Sequence, residues 1–284
     1  YGSEYLKETY LKPLAAGKMI GSFALTEAGA GSDPVSQHTV AVRDGNCYVI
    51  NGTKMFITSG KNSNVTVVTA YTDKSRKHRG ISAFVVEKGT PGFSVGKVED
   101  KMGLRASDTV ELIFEDCRVP EKNLLGKEGD GFVIAMASLD GGRIGIASQS
   151  VGIAQACLDA AVEYAGARIQ FNKAISQFQG IRWMIADMAV QIEAARLLTF
   201  NAAAMKDRGL DYSSAASMAK LHASEMANQV AYNALQIHGG YGYMKDFPVE
   251  RFYRDARVLT LYEGTSEIQR KLISDHILGK QTMR

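Results

Sequence analysis

The chain has 284 residues, 45% of them hydrophobic and 22% charged; both shares sit near the soluble-globular average and argue against a disordered, collagen-like or membrane-spanning protein. With 33 Lys+Arg against 30 Asp+Glu the formal charge is +3, too small and too dispersed to select a nucleic acid or a membrane surface as partner. Cys47, Cys117 and Cys157 are too widely spaced for a disulfide framework or a Cys-x-x-Cys metal pair, which fits a reducing compartment.

No apolar run approaches the ~20 residues that span a bilayer. Tyr1 to Leu6 open inside a helical pattern with no initiating Met, so upstream sequence is expected to have been removed. From Gly21 to Val119 short runs rich in Val, Ile, Thr, Phe and Tyr alternate with Gly, Asn and Asp. Tyr48–Ile50, Lys54–Thr58, Val65–Tyr71, Ile81–Val86 and Val110–Phe114 have the pattern of strands. Asp44-Gly45-Asn46 tolerates positive φ and predicts a hairpin turn. The basic run Lys74–Arg79 lies between two strand patterns, where a solvated loop is the expected state and a phosphate or nucleic-acid patch is not.

After Gly131 the apolar period changes from two to 3.6. Helices are predicted from about Gly129 to Arg168, from Ser176 to Arg208 and from Ser213 to His238, with Gly209 and Gly239-Gly240 as stops. A short helix follows Pro248, and another opens at Thr265 or Ser266 and ends at Gly279. No strand is expected after residue 140. The predicted fold class is α+β: an antiparallel β domain followed by an antiparallel helical bundle, close-packed through small residues. An active site would fall at the seam of the two.

The common nucleotide and metal signatures are missing, among them Gly-x-x-x-x-Gly-Lys, Gly-x-Gly-x-x-Gly and His-Glu-x-x-His. Two segments nevertheless carry chemistry. Phe23-Ala24-Leu25-Thr26-Glu27-Ala28-Gly29-Ala30-Gly31-Ser32-Asp33 runs from a strand into a small-residue loop whose N–H groups and hydroxyls suit an anion. Leu261-Tyr262-Glu263-Gly264-Thr265-Ser266-Glu267-Ile268-Gln269-Arg270 sets Glu263 in the apolar approach to a helix, with Thr265-Ser266 as cap and anion site. Taken alone, the first is a turn and Glu263 a capping-region carboxylate.

Four further segments complete a pattern: Lys54-Met55-Phe56-Ile57-Thr58, Asp140-Gly141-Gly142-Arg143, Arg168-x-x-Phe171, and Gln236-Ile237-His238-Gly239-Gly240-Tyr241-Gly242-Tyr243. In this order, from about Gly21 to Gly279, the segments resemble the acyl-CoA dehydrogenase family, most closely its short-chain (butyryl) members. The resemblance implies a remnant of an N-terminal helical domain over residues 1–20, a middle β domain over 21–128 and a C-terminal helical bundle domain over 129–284. It also implies FAD held between the β domain and the helices, and oxidation of a short-chain acyl-CoA to the trans-2-enoyl product. Electrons would pass to an electron-transferring flavoprotein. A bacterial cytoplasm or a mitochondrial matrix would suit such an enzyme.

The same resemblance assigns roles by matched position. Glu263 would be the base that removes the α-proton, as a desolvated carboxylate can. Phe23, Leu25 and Thr26 match the flavin-facing strand, and Ser32 a hydroxyl shared by cofactor and CoA. Phe56, Ile57 and Thr58 match the segment against the isoalloxazine, with Thr58 near N5; most relatives have Trp where Phe56 stands. Asp140 and Arg143 match a CoA-contacting pair, and Gly264 a substrate contact, although Asp140 and Arg143 also fit a surface intrahelical pair at i, i+3. Arg168, Phe171, Gln179, Gln236, Ile237, His238, Gly239 and Gly240 match residues reaching the FAD of a neighbouring subunit, which implies a homotetramer built as a dimer of dimers. Asn172 and Ala174 depart from the Gly and Pro usual there. Thr265, Ser266 and Glu267 match a contact to FAD at the last helix, and no metal is implied.

One branch of the family carries its base just before the Arg matched by Arg143 and has Gly at the Tyr-Glu-Gly position. Gly142 and Glu263 place this chain outside that isovaleryl type. Two rivals stay open: an acyl-CoA oxidase that uses dioxygen, and a non-catalytic helical assembly module of the same fold.

Overall fold

Two runs of the sequence are apolar on both faces, and in the computed structural model, which describes residues 1–279, they form central strands. β4 (Val65–Tyr71) and β5 (Ile81–Glu87) are buried at nearly every position, as strands covered on both sides must be. β3 (Cys47–Thr58) and β7 (Thr109–Pro120) instead alternate buried with exposed positions along much of their length. With β1 (Gly21–Ala24), β2 (Val40–Asp44), β6 (Phe93–Val98) and β8 (Leu124–Leu125) they form an eight-stranded sheet in the order β6-β7-β3-β2-β4-β5-β8, with β1 added beside β4. Tyr48, Ile50, Phe84, Leu112 and Phe114 fill its core.

The two runs Tyr48–Ile50 and Lys54–Thr58 are one continuous strand. Register shifts between Ile50 and Gly52 and between Lys54 and Ile57 interrupt its pairing with β7, and bulges of this kind re-aim side chains. Most pairings are antiparallel, as expected, but β1 runs parallel to β4 and Val40 bridges Tyr71 in parallel. β6 was not legible because it is an edge strand whose positions are mostly exposed.

Residues 1–20 do not stand apart from the β unit. Helical turns over Glu4–Leu6, Lys7–Leu11 and Lys12–Ala15 bring Leu6 and Tyr10 into a small core with Val65 and Val85. The compact units are Tyr1–Lys101 with Arg105–Ser138, and Met102–Leu104 with Leu139 onward. The division between these compact units falls inside the first long helix, α1 (Gly131–Ala167). Its opening turn belongs with β5, because the Gly129 N–H donates to Ser82 Oγ at 2.9 Å.

The second unit holds most of α1 with α2 (Gln179–Asp207), α3 (Ser213–His238), α4 (Val249–Ala256) and α5 (Ser266–Leu278). Arg196 bonds Gln155 and Lys206 lies beside Gly141, so α2 runs opposite to α1. Ser213 bonds Asp140 and Tyr164 stacks on His238, so α3 runs along α1. Buried Ala at 147, 154, 161, 195, 202, 219, 223, 227 and 231 lines the shared core, and such small residues let helix axes approach closely. The expectation of no strand after residue 140 is corrected. Ile169–Gln170 and Lys173–Ala174 form a two-residue-a-side hairpin. Phe171 (φ 53°) and Asn172 (φ 62°) supply the two positive φ values that a tight hairpin turn requires.

Candidate active site

The second unit gathers its buried charges around one turn. Between Thr260 and Ser266 the chain reverses through Glu263 at φ 55° and Gly264 at φ 87°, and Thr265 then caps α5 by accepting from Ile268 N–H. Both carbonyls of this reversal are held. Gln269, fully buried on α5, donates Nε2 to the Glu263 carbonyl at 3.1 Å and to the Gly264 carbonyl at 3.0 Å. Lys220, 0% exposed on α3, donates Nζ to the Gly264 carbonyl at 2.7 Å. The Glu263 carboxylate then points at α1, where a Cβ on Gly142 would sit 2.6 Å from Oε2. A side chain at 142 and this carboxylate position exclude one another.

Burial dominates the electrostatics here. It raises the pKa of Glu263 above the usual glutamate value, against the opposing charges of Arg143 and Lys220. Glu263 Oε2 and Arg143 Nε are both buried without a hydrogen-bond partner. Arg143 is 4% exposed and is paired with Asp140, whose Oδ1 also accepts from Ser213 Oγ at 3.0 Å, so the pair is not a surface one. Burial and the Arg143 charge bring Lys220 down to about 8. Tyr262, bonded to Gln149 at 2.6 Å, is pushed up to about 12 by burial and then by the Glu263 charge. Glu267, a turn away, is exposed and held below the usual value by its own backbone N–H and by Thr265. Of these two carboxylates, only Glu263 is made more basic by its surroundings.

A second feature of this unit is a cleft of about 480 Å³ lined by Tyr164, Arg168, Gln170, Ile175, Ile237, His238, Gly239, Gly240, Tyr241 and Met244. Arg168 lies over the Tyr241 ring at 5.3 Å. His238 is a packed histidine: its Nδ1 lies 2.7 Å from the Ala234 carbonyl, its ring stacks on Tyr164, and burial lowers its pKa. Phe171, Gln179 and Gln236 lie outside the lining, all three exposed, Phe171 at 87%. Ser266 is buried with its hydroxyl unpartnered.

In the β unit the Thr26 carbonyl accepts from Met55 N–H at 2.8 Å, tying the loop after β1 to the second bulge of β3. Phe23, Leu25 and Thr26 are half-buried, Ser32 and Thr58 exposed, and Phe56 is 58% exposed at φ 59°. Ile57 is different: it is buried in the core. Beneath this face Lys54, 0% exposed, donates to the Leu25 carbonyl at 3.0 Å, to Glu27 Oε1 at 2.8 Å and to Gln37 Oε1 at 2.9 Å. Glu27 also accepts from the backbone N–H groups of His38 and Thr39.

Residues 22–117 match the middle domain of acyl-CoA dehydrogenases and residues 129–278 their C-terminal domain. The chain belongs to the acyl-CoA dehydrogenase family. It is 53% identical over 277 residues to the short-chain specific acyl-CoA dehydrogenase of Clostridium acetobutylicum, covering 98% of this chain and 73% of that one. It is 54% identical over 282 residues to the acryloyl-CoA reductase (NADH) of Anaerotignum propionicum, covering 99% of this chain and 72% of that one. A chain in the solved structure of the electron transferring flavoprotein of Acidaminococcus fermentans superposes with a TM-score of 0.98 at 53% identity, over 98% of this chain and 73% of that one. The acyl-CoA dehydrogenase fold, a β domain followed by a helical one, is that expected from the sequence.

Sequence reasoning missed Lys220, and gave no role to Gln269, Lys54 and Glu27, which stand inside the quoted motifs. A signal for Lys220 was present: it stands among Ala216, Ser217, Ala219, Ala223 and Ser224, a small-residue face that is buried throughout. Among the described residues no group of three or more His, Cys, Asp or Glu could hold a metal ion. None of their helices is long and apolar enough to cross a membrane.

Proposed function

We propose that this chain is an FAD-dependent short-chain acyl-CoA dehydrogenase in which Glu263 takes the α-proton of the thioester. The observation that carries the reading is the half-buried Glu263, raised in pKa by desolvation and with its Oε2 buried and unpartnered. A carboxylate so placed is a stronger base than one in water and wastes none of its capacity on a fixed bond. Arg143 and Lys220 keep cationic charge beside it, which opposes the upward push of burial. Gly142 leaves the space into which the carboxylate points.

The residues present fit the cofactor. Arg168 beside Gly239 and Gly240 offers a guanidinium and unobstructed backbone to a pyrophosphate, and the Phe56 ring, Thr58 and Thr26 offer an exposed aromatic and two hydroxyls to a flat ring system. FAD, when bound, supplies the two-electron acceptor for the hydride that leaves the β-carbon as the α,β double bond forms. Asp140, Arg143, Ser32 and Gly264 are assigned to the CoA thioester, and Phe23, Leu25, Ile57, Thr265, Ser266 and Glu267 to the cofactor. Arg168 and Ile237 to Gly240 at the cleft, with the exposed Phe171, Gln179 and Gln236 outside it, are all assigned to a neighbouring subunit's FAD in a tetramer. An electron-transferring flavoprotein is the proposed acceptor, supported by the Acidaminococcus likeness, and a bacterial cytoplasm is the proposed location.

The Anaerotignum reductase supports a second reading, the same chemistry run backwards, with protonated Glu263 returning the α-proton. Rates with butyryl-CoA plus acceptor flavoprotein, with acryloyl-CoA plus reductant, and with air alone separate dehydrogenase, reductase and oxidase. The test of the base is Glu263→Gln in the FAD-loaded protein. It is expected to keep its flavin absorbance and lose turnover by on the order of 10²–10⁴. Flavin bleaching by butyryl-CoA at the wild-type rate would place the base elsewhere.

A further inference from the structure

A glutamate in a left-handed turn needs outside support, because a non-glycine residue at φ 55° is strained. Among the described residues only two side chains bond the carbonyls of that turn, Gln269 from within α5 and Lys220 from α3. Gln269 is local to the helix the turn begins. Lys220 is not: it crosses from a different helix, 44 residues away in sequence, and fixes the turn to the bundle. Its ammonium is fully buried, and among the described residues no acidic side chain bonds it, only the Gly264 carbonyl. A buried cation bonded to a neutral carbonyl is costly for stability alone, which points to a use for its charge.

We propose that Lys220 is the positioning residue of the base, its Nζ clamping the Gly264 carbonyl so that Glu263 faces Gly142 and its charge holding that carboxylate ionised. The proposal rests on Glu263 being the base. The charged groups facing Lys220 are Arg143 on α1, Glu263 in the turn, Glu225 on its own helix and Glu267 on α5; those facing Glu263 are Arg143 and Lys220. Arg143 is committed to Asp140, which leaves Lys220 as the cation not neutralised by a carboxylate partner. Burial and the Arg143 charge bring Lys220 itself down to about 8. Its neutral amine still donates a hydrogen bond, so above that pH the clamp survives while the charge is lost.

Lys220→Met in the FAD-loaded protein tests this. Turnover should fall on the order of 10- to 100-fold, the scale of a misplaced reacting group, with KM for butyryl-CoA within about twofold. The acid limb of the kcat/KM profile should move to higher pH, because a cation that stabilised the carboxylate has gone. Lys220→Arg, which keeps the charge, should return the limb toward its wild-type position. A folded, flavin-loaded Lys220→Met with wild-type turnover and an unmoved limb overturns the proposal. Should that variant not fold, Lys220→Gln, uncharged but polar, takes its place under the same criteria. Glu263→Gln measured alongside separates the two ideas. If it is inactive while the lysine variants keep a wild-type profile, only the role of Lys220 falls; if it is active, the base assignment itself falls.

Discussion

Each unit buries a lysine completely and sets a glutamate near it, and the two pairs are built in opposite ways. In the β unit Lys54 bonds Glu27 directly, and two backbone N–H groups complete the carboxylate. Burial works to raise Glu27, but the Lys54 charge and these bonds outweigh it and its pKa is lowered. In the helical unit Lys220 bonds a carbonyl instead, and Glu263 is left with a bare buried oxygen and a raised pKa. A carboxylate with both oxygens hydrogen-bonded is a structural strut. One held by its backbone while its oxygen stays unbonded can accept a proton. The same two residue types thus give rigidity in one place and reactivity in the other, according to where the lysine's hydrogen bond goes.

The largest expected effect tests the strut. Lys54→Met removes one partner of a buried pair and should cost about 3–5 kcal/mol in urea denaturation, because Glu27 is left charged and uncompensated. Lys220→Met should cost clearly less, since no carboxylate loses its hydrogen bond; equal costs would erase the contrast. Next comes Gly142→Ala. A helix interior gains from losing Gly, yet the new Cβ would lie 2.6 Å from Glu263 Oε2. Turnover should drop about tenfold or more while the melting temperature does not fall, the displaced carboxylate being the cause.

A smaller effect concerns stability at the base. The raised folded-state pKa of Glu263 means that ionising it opposes folding: that contribution is favourable below the unfolded carboxyl value and is lost as pH rises through the folded one. Glu263→Gln should therefore be more stable than wild type at pH 7, by on the order of 1 kcal/mol, and the gain should vanish near pH ~4. Glu27→Gln should show the reverse sign. Smallest of all, Glu267→Gln should leave turnover within about twofold and act through FAD affinity, measured by titrating the cofactor back into stripped protein.

Much of the fold was legible because it depends on period. The change from two to 3.6 places the helices to within a few residues, and Gly209 and Gly239 end α2 and α3 as helix-stopping glycines do. What was not legible depends on pairing across distance. β1 cannot announce from four residues that it will run parallel to β4, and Phe171-Asn172 form a hairpin turn without the glycine that usually marks one. At the site, motif matching finds Glu263 and Arg168, residues whose neighbours in sequence are distinctive. It passes over Lys220 and gives Lys54 no role, because theirs come from bonds to carbonyls and side chains far along the chain.

Eight non-glycine residues adopt positive φ among those described, and Phe56, Phe171 and Glu263 are three of them. At each of these a glycine would relax the backbone. A library selected for heat resistance alone would thus be rewarded for deleting the ring proposed to face the flavin and the proposed base, drifting toward a hardier and inert protein. Selection for activity must hold these positions against that gradient, so in any stabilised descendant of this chain they are the first places to look when catalysis has disappeared.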